Sequence, residues 1–537
     1  MASCGRESAQ TTRETSENGR GRLTDMPIWR TRDRPVITKQ FRDWLVVGLF
    51  IAIIHAPLLT KPFVDSDEAV YASIAALSNE VGHLYGSGGV DNKFPGIFWI
   101  YAGVFRLFGQ YSMNAVHAVT IAVVLATAGV LGAIAARIGY RSAASIVALF
   151  YGVATTLYTP KMLGANTEVF AMLPVSIAVL LVLPRSGGPL PGSLAMYVAG
   201  LLIGAGTVIR QLAGPNLLLV CGVPVFWTTV CWRRRLGASF VAALGCLTAL
   251  GWLAYFFHTQ GTLRDFWYWT VEVVSVRYLP DGWHFQVPLH QLAMFAETIV
   301  FWVLIGQRAR KWRLASVAER ALWGWLLLSL GIVLLPGRFH PHYMIQLFAP
   351  LAVLAGIEFR QRIDAARETG RWGFVRWCSG LLAALALVFA VIAVLWEPFA
   401  PAYFSKLPPR YIAVADHIRA TTTPTDRIFV WGAYTPIYVI ADRLPATRFV
   451  AFKRGCGRHE QSPFEDCWDS GPEMWPLLAR DLAATTPAVI VDTSPANLGD
   501  FKHYPIQQFS LLRDLLATRY SKERTINGVD VYRRLPN

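Results

Sequence analysis

The chain is poor in charge and in cysteine. Asp, Glu, Lys and Arg make up 16% of its 537 residues, and it has seven cysteines. A water-soluble globular chain carries about a quarter charged residues, so a purely aqueous protein is excluded. The sparse cysteines exclude a small disulfide scaffold. Its 43 glycines follow no period, which removes a collagen-like chain. No Gly-x-Gly-x-x-Gly follows an expected strand, so dinucleotide and phosphate-loop chemistry are not offered. No signal-peptidase pattern of small residues follows the first apolar run, which is therefore expected to remain as an uncleaved anchor.

What the chain has instead is apolar length: 54% of its residues are hydrophobic and its mean hydropathy is +0.37. A helix crossing the hydrocarbon core needs roughly 17 to 25 mainly apolar residues. Eleven runs are candidates, some of them short: 44–59, 114–136, 142–158, 166–184, 193–209, 212–232, 236–257, 290–307, 321–336, 342–359 and 377–396. The run 95–109 is equally apolar but short, with Arg106 inside it, and reads as a helix lying along the membrane surface. The expected fold class is thus a polytopic α-helical membrane protein of about eleven spans.

The net charge of +15 raises the question of a nucleic-acid partner, and the placement of the basic residues answers it. Cytoplasmic loops hold an excess of Lys and Arg. Nine lie before Trp44, and sixteen more lie in alternate loops: Arg137–Arg141, Arg185, Arg233–Arg235, Arg308–Arg320 and Arg360–Arg376. The intervening loops together hold eight: Lys61, Lys93, Arg106, Lys161, Arg210, Arg264, Arg277 and Arg338. The basic balance therefore reads as a topology signal, with the N-terminus inside and residues 397–537 outside, and no nucleic-acid partner is expected.

Residues 1–25 are too polar to build a core, so 1–43 reads as a cytoplasmic, partly disordered tail and 44–396 as the transmembrane domain. Its larger outer loops are 60–113 and 258–289. Beyond Trp396 the composition becomes that of a soluble α/β unit. Helices are expected at 411–420, 436–441, 473–484 and 507–518, and strands at 428–431, 448–452 and 489–492. A hairpin is expected around Asn527-Gly528. Cys221, Cys231, Cys246 and Cys378 read as small hydrophobes. Cys456 and Cys467 fall in the exported part, where a disulfide is chemically allowed.

Ionisable groups at or inside the membrane are costly unless they work, and four clusters of them share one side of the expected topology. In Asp65-Ser66-Asp67-Glu68, Asp65 and Glu68 fit a capping box opening the helix that carries Tyr71. Asp67 is left over, and with Glu68 it offers carboxylates that accept a proton or hold a divalent cation. In Asp91-Asn92-Lys93-Phe94-Pro95-Gly96, Lys93 is either a snorkelling turn residue or a functional cation. Arg338-Phe339-His340-Pro341-His342-Tyr343 crowds one guanidinium and two imidazoles at a short outer turn, which suits phosphate oxygens. Glu168 and Arg210-Gln211 either pair structurally or face the same cavity. The aromatic loop 258–289, which includes His284, is placed to cap such a cavity.

Taken together, these segments resemble the polytopic glycosyltransferases of the GT-C superfamily that use polyprenyl-phosphate sugars, and most of all the protein O-mannosyltransferase-like family, glycosyltransferase family 39, which includes lipid A aminoarabinose transferases. Asp67-Glu68-Ala69-Val70-Tyr71 is similar to the acidic first-loop motif, Asp91 to Gly96 to the lysine-proline stretch, and Arg338 to Tyr343 to the late outer loop. Ile428 to Gly432, Tyr434 to Tyr438 and Val531 to Arg534 are similar to the tail of bacterial members. Phe94 stands where a second proline is common, and Arg210 where lysine is common.

The resemblance implies a bacterial inner-membrane enzyme that takes a monosaccharide from a polyprenyl-phosphate donor on the outer face and passes it to a lipid, glycan or protein acceptor. Asp67 is then the expected base, with Glu68 orienting the site or holding a divalent cation. Lys93, Arg210 and Arg338 are expected to hold the carrier phosphate, with His340, His342 and Tyr343 beside them. Tyr71, Asp91, Glu168, Gln211 and His284 are further candidates for the cavity wall. A flippase for polyprenyl-linked sugars is the main rival, but it needs neither a proton-accepting carboxylate nor an exported domain.

Overall fold

The structure is a computed structural model that describes residues 34–157, 162–184, 189–226, 230–275, 295–335, 340–391, 409–432, 434–452, 474–498 and 501–536. The chain divides into a short N-terminal unit, Met1–Trp44, and a main body, Leu45–Asn537. Arg338, His284, Arg185, Arg277, Cys456 and Cys467 lie outside the described residues.

Each of the eleven apolar runs carries a helix: α1 (Arg34–His55), α4 (Met113–Arg137), α5 (Ala144–Ala154), α6 (Thr167–Val182), α7 (Ser193–Ile209), α8 (Asn216–Val225), α9 (Trp232–Thr259), α11 (Ile299–Ala309), α12 (Val317–Leu334), α13 (Ile345–Thr369) and α14 (Gly373–Val391). Among the described residues, five helices are long and apolar enough to cross a bilayer: Gln40–Thr60, Met113–Arg137, Trp232–Thr259, Val317–Leu334 and Pro341–Thr369. The others are shorter apolar helices packed among them, and the architecture is that of a multi-pass membrane protein. The segment after α1 folds into α2 (Ser66–Val81) and α3 (Gly96–Phe108). At 13 residues and about 1.5 Å per residue, α3 is too short to span the hydrocarbon core. A short α10 (Leu263–Trp267) follows α9.

At the ends of α11, α12 and α13 the basic loops are tied down by buried acids. Arg308 Nη2 lies 2.9 Å from Glu319, and both Lys311 Nζ and Arg362 Nε lie 2.9 Å from Glu358. Glu358 is fully buried, so each cation also offsets a desolvation cost.

The tail contributes α15 (Pro409–Thr421), α16 (Pro436–Ala441), α17 (Met474–Thr485) and α18 (Ser510–Arg519) around a four-stranded sheet of order β1-β2-β4-β3. Strands β1 (Ile428–Trp431) and β2 (Val489–Asp492) are parallel, with Phe429 opposite Ile490. Both are buried along their whole length, as continuous apolar strands in parallel pairs usually are. Strand β4 (Val529–Arg534) runs antiparallel to both β2 and the edge strand β3 (Tyr520–Ile526). The expected hairpin is present: Asn527 and Gly528 have φ of 50° and 86°, the left-handed pair of a two-residue turn. Strand β3 presents mostly polar, exposed side chains (YSKERTI), which protects a sheet edge from further pairing.

One expected strand is absent. Residues 448–452 form no ladder; only a bridge between Ile428 and Pro445 is made. The segment leaves β1 because Arg448 is drawn to Asp481 by its backbone N–H and its guanidinium, while its carbonyl accepts from Val90 N–H at 3.1 Å. The sheet's apolar core is continuous with that of α2 and α3, since Tyr71, Phe98, Tyr101, Phe257, Phe429 and Ile490 belong to one buried cluster. Tyr111 reinforces the junction by donating to the Arg443 carbonyl at 3.3 Å.

Candidate active site

The site begins at the start of α2. Asp65 is its N-cap, and the capping box is made: the Glu68 carboxylate accepts from Asp65 N–H at 3.1 Å. Glu68 does more than cap. Its Oε2 also accepts from Val64 N–H at 2.7 Å, while Oε1 accepts from Ala165 N–H at 2.7 Å and faces His117 Nε2 at 3.1 Å. Burial pushes the carboxyl up, but His117 and the Ala165 and Val64 amides together hold it below the usual carboxylate range. Glu68 thus fastens α2 to α4 and to the segment before α6.

Asp67 sits one residue earlier in the first turn and is half-buried, where a helix N-terminus favours negative charge. Its surroundings are read from the buried Tyr71, whose phenol is pushed well up by burial and then by the nearby charges of Asp67, Asp91 and Asp65. The charges of the first and second clusters are thus both felt at this phenol.

The Lys93 segment is held in place by its neighbours. Asp91 Oδ1 accepts from Lys93 N–H at 3.0 Å, and the Lys93 carbonyl accepts from Tyr85 Oη at 2.5 Å. Lys93 Nζ donates to the neutral Asn92 Oδ1 at 3.1 Å, and among the described residues it makes no ion pair. Phe94, in place of the common proline, packs its ring 5.2 Å from Phe266. Tyr85 lies against Phe257 and Phe266, so the described part of the aromatic loop does cover this segment.

The Asn92 carbonyl accepts from Gln211 Nε2 at 2.7 Å, which brings the fourth cluster alongside the second. Next to it, Arg210 leaves the end of α7, pairs with Glu168 and donates to Thr167 Oγ1 at 3.3 Å. Its guanidinium lies over the Tyr343 ring at 4.5 Å, a favourable cation–aromatic arrangement. His342 Nε2 is 3.5 Å from the same Glu168. His340 and His342 stack at 5.6 Å, each edge-on to Tyr343. Asn166, which precedes Thr167, donates to Asp65 Oδ2 at 3.3 Å and closes the circuit. Among the described residues, the fourth cluster thus touches the second through Gln211 and the third through Glu168 and Arg210, and the first is reached through Asn166.

Both Glu68 oxygens are already committed to hydrogen bonds, and among the described residues no three His, Cys, Asp or Glu side chains form a group suited to a metal.

Three members of this network, His117, Asn166 and Tyr85, are not marked by any motif. His117 could have been found, because it is an ionisable residue inside an apolar run. Asn166 and Tyr85 have no such signal, since their partners are about 100 and eight residues away.

No family model matches the chain, and no curated protein matches it in sequence. Solved structures do. ArnT from Cupriavidus metallidurans bound to undecaprenyl phosphate superposes with a TM-score of 0.62 at 15% identity, covering 93% of this chain and 99% of that one. The same protein in its apo state gives 0.59 at 14% identity, over 92% and 98%. The Archaeoglobus fulgidus oligosaccharyltransferase AglB, in complex with an inhibitory peptide and a dolichol-phosphate, gives 0.50 at 12% identity, over 87% and 72%. The chain therefore shares the fold of these two proteins.

Proposed function

We propose that the chain is a membrane glycosyltransferase that moves a monosaccharide from a polyprenyl-phosphate donor to an acceptor hydroxyl on the outer face of a bacterial inner membrane. Residues 1–43 are then cytoplasmic, 44–396 form the catalytic membrane domain and 397–537 an extracytoplasmic domain. The observation that carries this reading is the linked geometry of the basic clusters: Asp91 accepts from Lys93 N–H, the Lys93 segment meets Arg210's neighbour through Asn92 and Gln211, and Arg210 pairs with Glu168 and lies over Tyr343. The similarity of fold to a structure bound to undecaprenyl phosphate supports the same donor class here.

In the proposed reaction the acceptor oxygen attacks the sugar's anomeric carbon, forming the new C–O bond. The bond from that carbon to the carrier phosphate breaks, its electron pair leaving with the phosphate monoester. The acceptor proton passes to the Asp67 carboxylate, because the hydroxyl itself is too weakly acidic to give it up unaided. Lys93, Arg210 and Arg338 meet the charge that grows on the departing phosphate, and fixed cations in a water-poor cleft do this better than water. His340, His342 and Tyr343 hold Arg210 and the phosphate rim, with Glu168 fixing the arginine's orientation. A single displacement inverts the anomeric centre.

The test is release of polyprenyl phosphate from a polyprenyl-phosphate sugar by the purified protein in detergent, supplied with a lipid or glycan acceptor extract. Wild type is expected to release carrier, and Asp67→Asn to lose about 10²-fold or more in kcat with donor KM unchanged. Asp67→Asn at the wild-type rate removes the base assignment. No release by wild type, alongside sugar-lipid movement in sealed vesicles, favours the flippase.

A further inference from the structure

A second polar cavity, of about 540 Å³, lies away from the acid–base network. It opens between the last turns of α2, the segment before β1 and helix α17, and its charged lining consists of Arg427, Arg448, Arg480, Arg534, Asp426 and Asp481. Both acids have partners, but among the described residues only Asp481 is in an ion pair. Asp481 takes Arg448 in a bidentate pair, both bonds at 2.8 Å, and Asp426 accepts from the Thr423 N–H at 2.7 Å and its hydroxyl at 2.9 Å. Arg534 Nη1 donates to uncharged partners, the Thr486 carbonyl and hydroxyl. Among the described residues, Arg427 and Arg480 make no ion pair.

Among the described residues, three guanidinium groups, of Arg427, Arg480 and Arg534, therefore face one cavity without an ion-pair partner and are opposed only by the Asp426 carboxylate, which leaves about two net positive charges beside the hydroxyl groups of Ser87 and Thr425. Convergent like charges are unfavourable unless an anion joins them, and guanidinium groups bind phosphate and carboxylate oxygens in paired, directional bonds. The cavity is coupled to the candidate active site through the chain. Ser87 on its wall precedes Lys93 by six residues, and Val90 N–H donates to the carbonyl of Arg448. Val81 on its wall and Asp67 lie fourteen residues apart on α2, about 20 Å at 1.5 Å per residue.

We propose that this cavity is an oxyanion-binding site that receives a phosphate or carboxylate on the acceptor's saccharide head group, so that the acceptor is acidic. The assignment to an acceptor rests on the glycosyltransferase reading; the anion site itself does not.

The test is calorimetric titration of the full chain in detergent with inorganic pyrophosphate and, separately, with a short oligogalacturonate, which distinguishes phosphate from carboxylate recognition. Saturable binding of at least one probe is expected. The paired substitution Arg427→Gln with Arg480→Gln is expected to weaken it tenfold or more, while affinity for a short-chain polyprenyl phosphate changes less than twofold. Ala484→Trp, which fills the exposed mouth of the cavity without removing a charge, is expected to weaken the probe equally and covers the case in which the arginine pair misfolds. Wild type binding neither probe, or probe affinity unaltered in both variants, overturns the proposal. If the glycosyltransferase reading alone is wrong, carrier release is absent while the probe still binds.

Discussion

At the scale of single residues, Glu68 and Tyr85 show how a carboxylate and a phenol work by holding other groups still. Glu68 collects three backbone N–H groups and His117 in a site without solvent. Removing its charge leaves those donors poorly matched, and Glu68→Gln is expected to cost about 3 kcal/mol of stability, read as a lower melting temperature in detergent at pH 7. Its folded-state carboxyl titrates below the unfolded value, so its contribution is complete above the unfolded pKa of about 4.3. That contribution fades as pH falls through the lower, folded value. The gap in melting temperature between wild type and Glu68→Gln should therefore narrow below about pH 4, and a constant gap would show that the charge is not what stabilises. Tyr85 adopts a left-handed backbone, φ 65°, which a bulky residue keeps only when its surroundings over-determine it. Here its hydroxyl holds the Lys93 carbonyl. Loss of one such bond, worth about 1 kcal/mol, predicts that Tyr85→Phe raises donor KM roughly fivefold at nearly constant kcat.

At the scale of elements, the site depends on how closely α3 approaches the end of α7. A Cβ built on Gly96 would lie 2.7 Å from both the Ile209 Cα and the Val208 carbonyl oxygen, and Arg210 is the next residue after α7. Any side chain at 96 must push the arginine-bearing turn away from the Lys93 segment. Gly96→Val is expected to cost about 1–3 kcal/mol through overpacking and to raise donor KM, measured by carrier release; unchanged KM in a folded variant would uncouple this contact from the site. The elements themselves were largely legible in the residue pattern. The α2 cap, the Asn527-Gly528 hairpin and strands β1 and β2 rest on local preferences that need no distant partner. Residues 448–452 have the apolar composition of a strand, yet form none. Their path was decided by Asp481, Arg448 and Val90, which lie far apart along the chain.

At the scale of the whole molecule, the distribution of Lys and Arg makes a prediction that needs no chemistry. Single cysteines introduced into a cysteine-free background at Glu80 and at Glu523 should both react with an impermeant maleimide from outside intact spheroplasts. One at Arg313 should react only after lysis. Labelling of Glu80 and Glu523 positions from opposite sides would separate the outer loop from the tail and dismantle both proposed sites. The fold bears on the same point, because one apolar core runs from α2 and α3 into the sheet and leaves no room for a membrane between them.

The sequence alone determined the solvent in which this chain lives, its apolar helices, the composition of its tail and the residue types from which a site could be built. These follow from transfer free energy and local backbone preference, which act within a window of about twenty residues. Tertiary structure alone decided which of those residues meet. It joined Asp65 to Asn166, Asn92 to Gln211 and Arg210 to Tyr343, and it assigned Glu68 to holding the frame. It also assembled three arginines of the tail around a cavity that no run of neighbouring residues announces. Such contacts arise from packing between elements, where the partner of a charge is set by the path of the chain and not by its nearest neighbours in sequence.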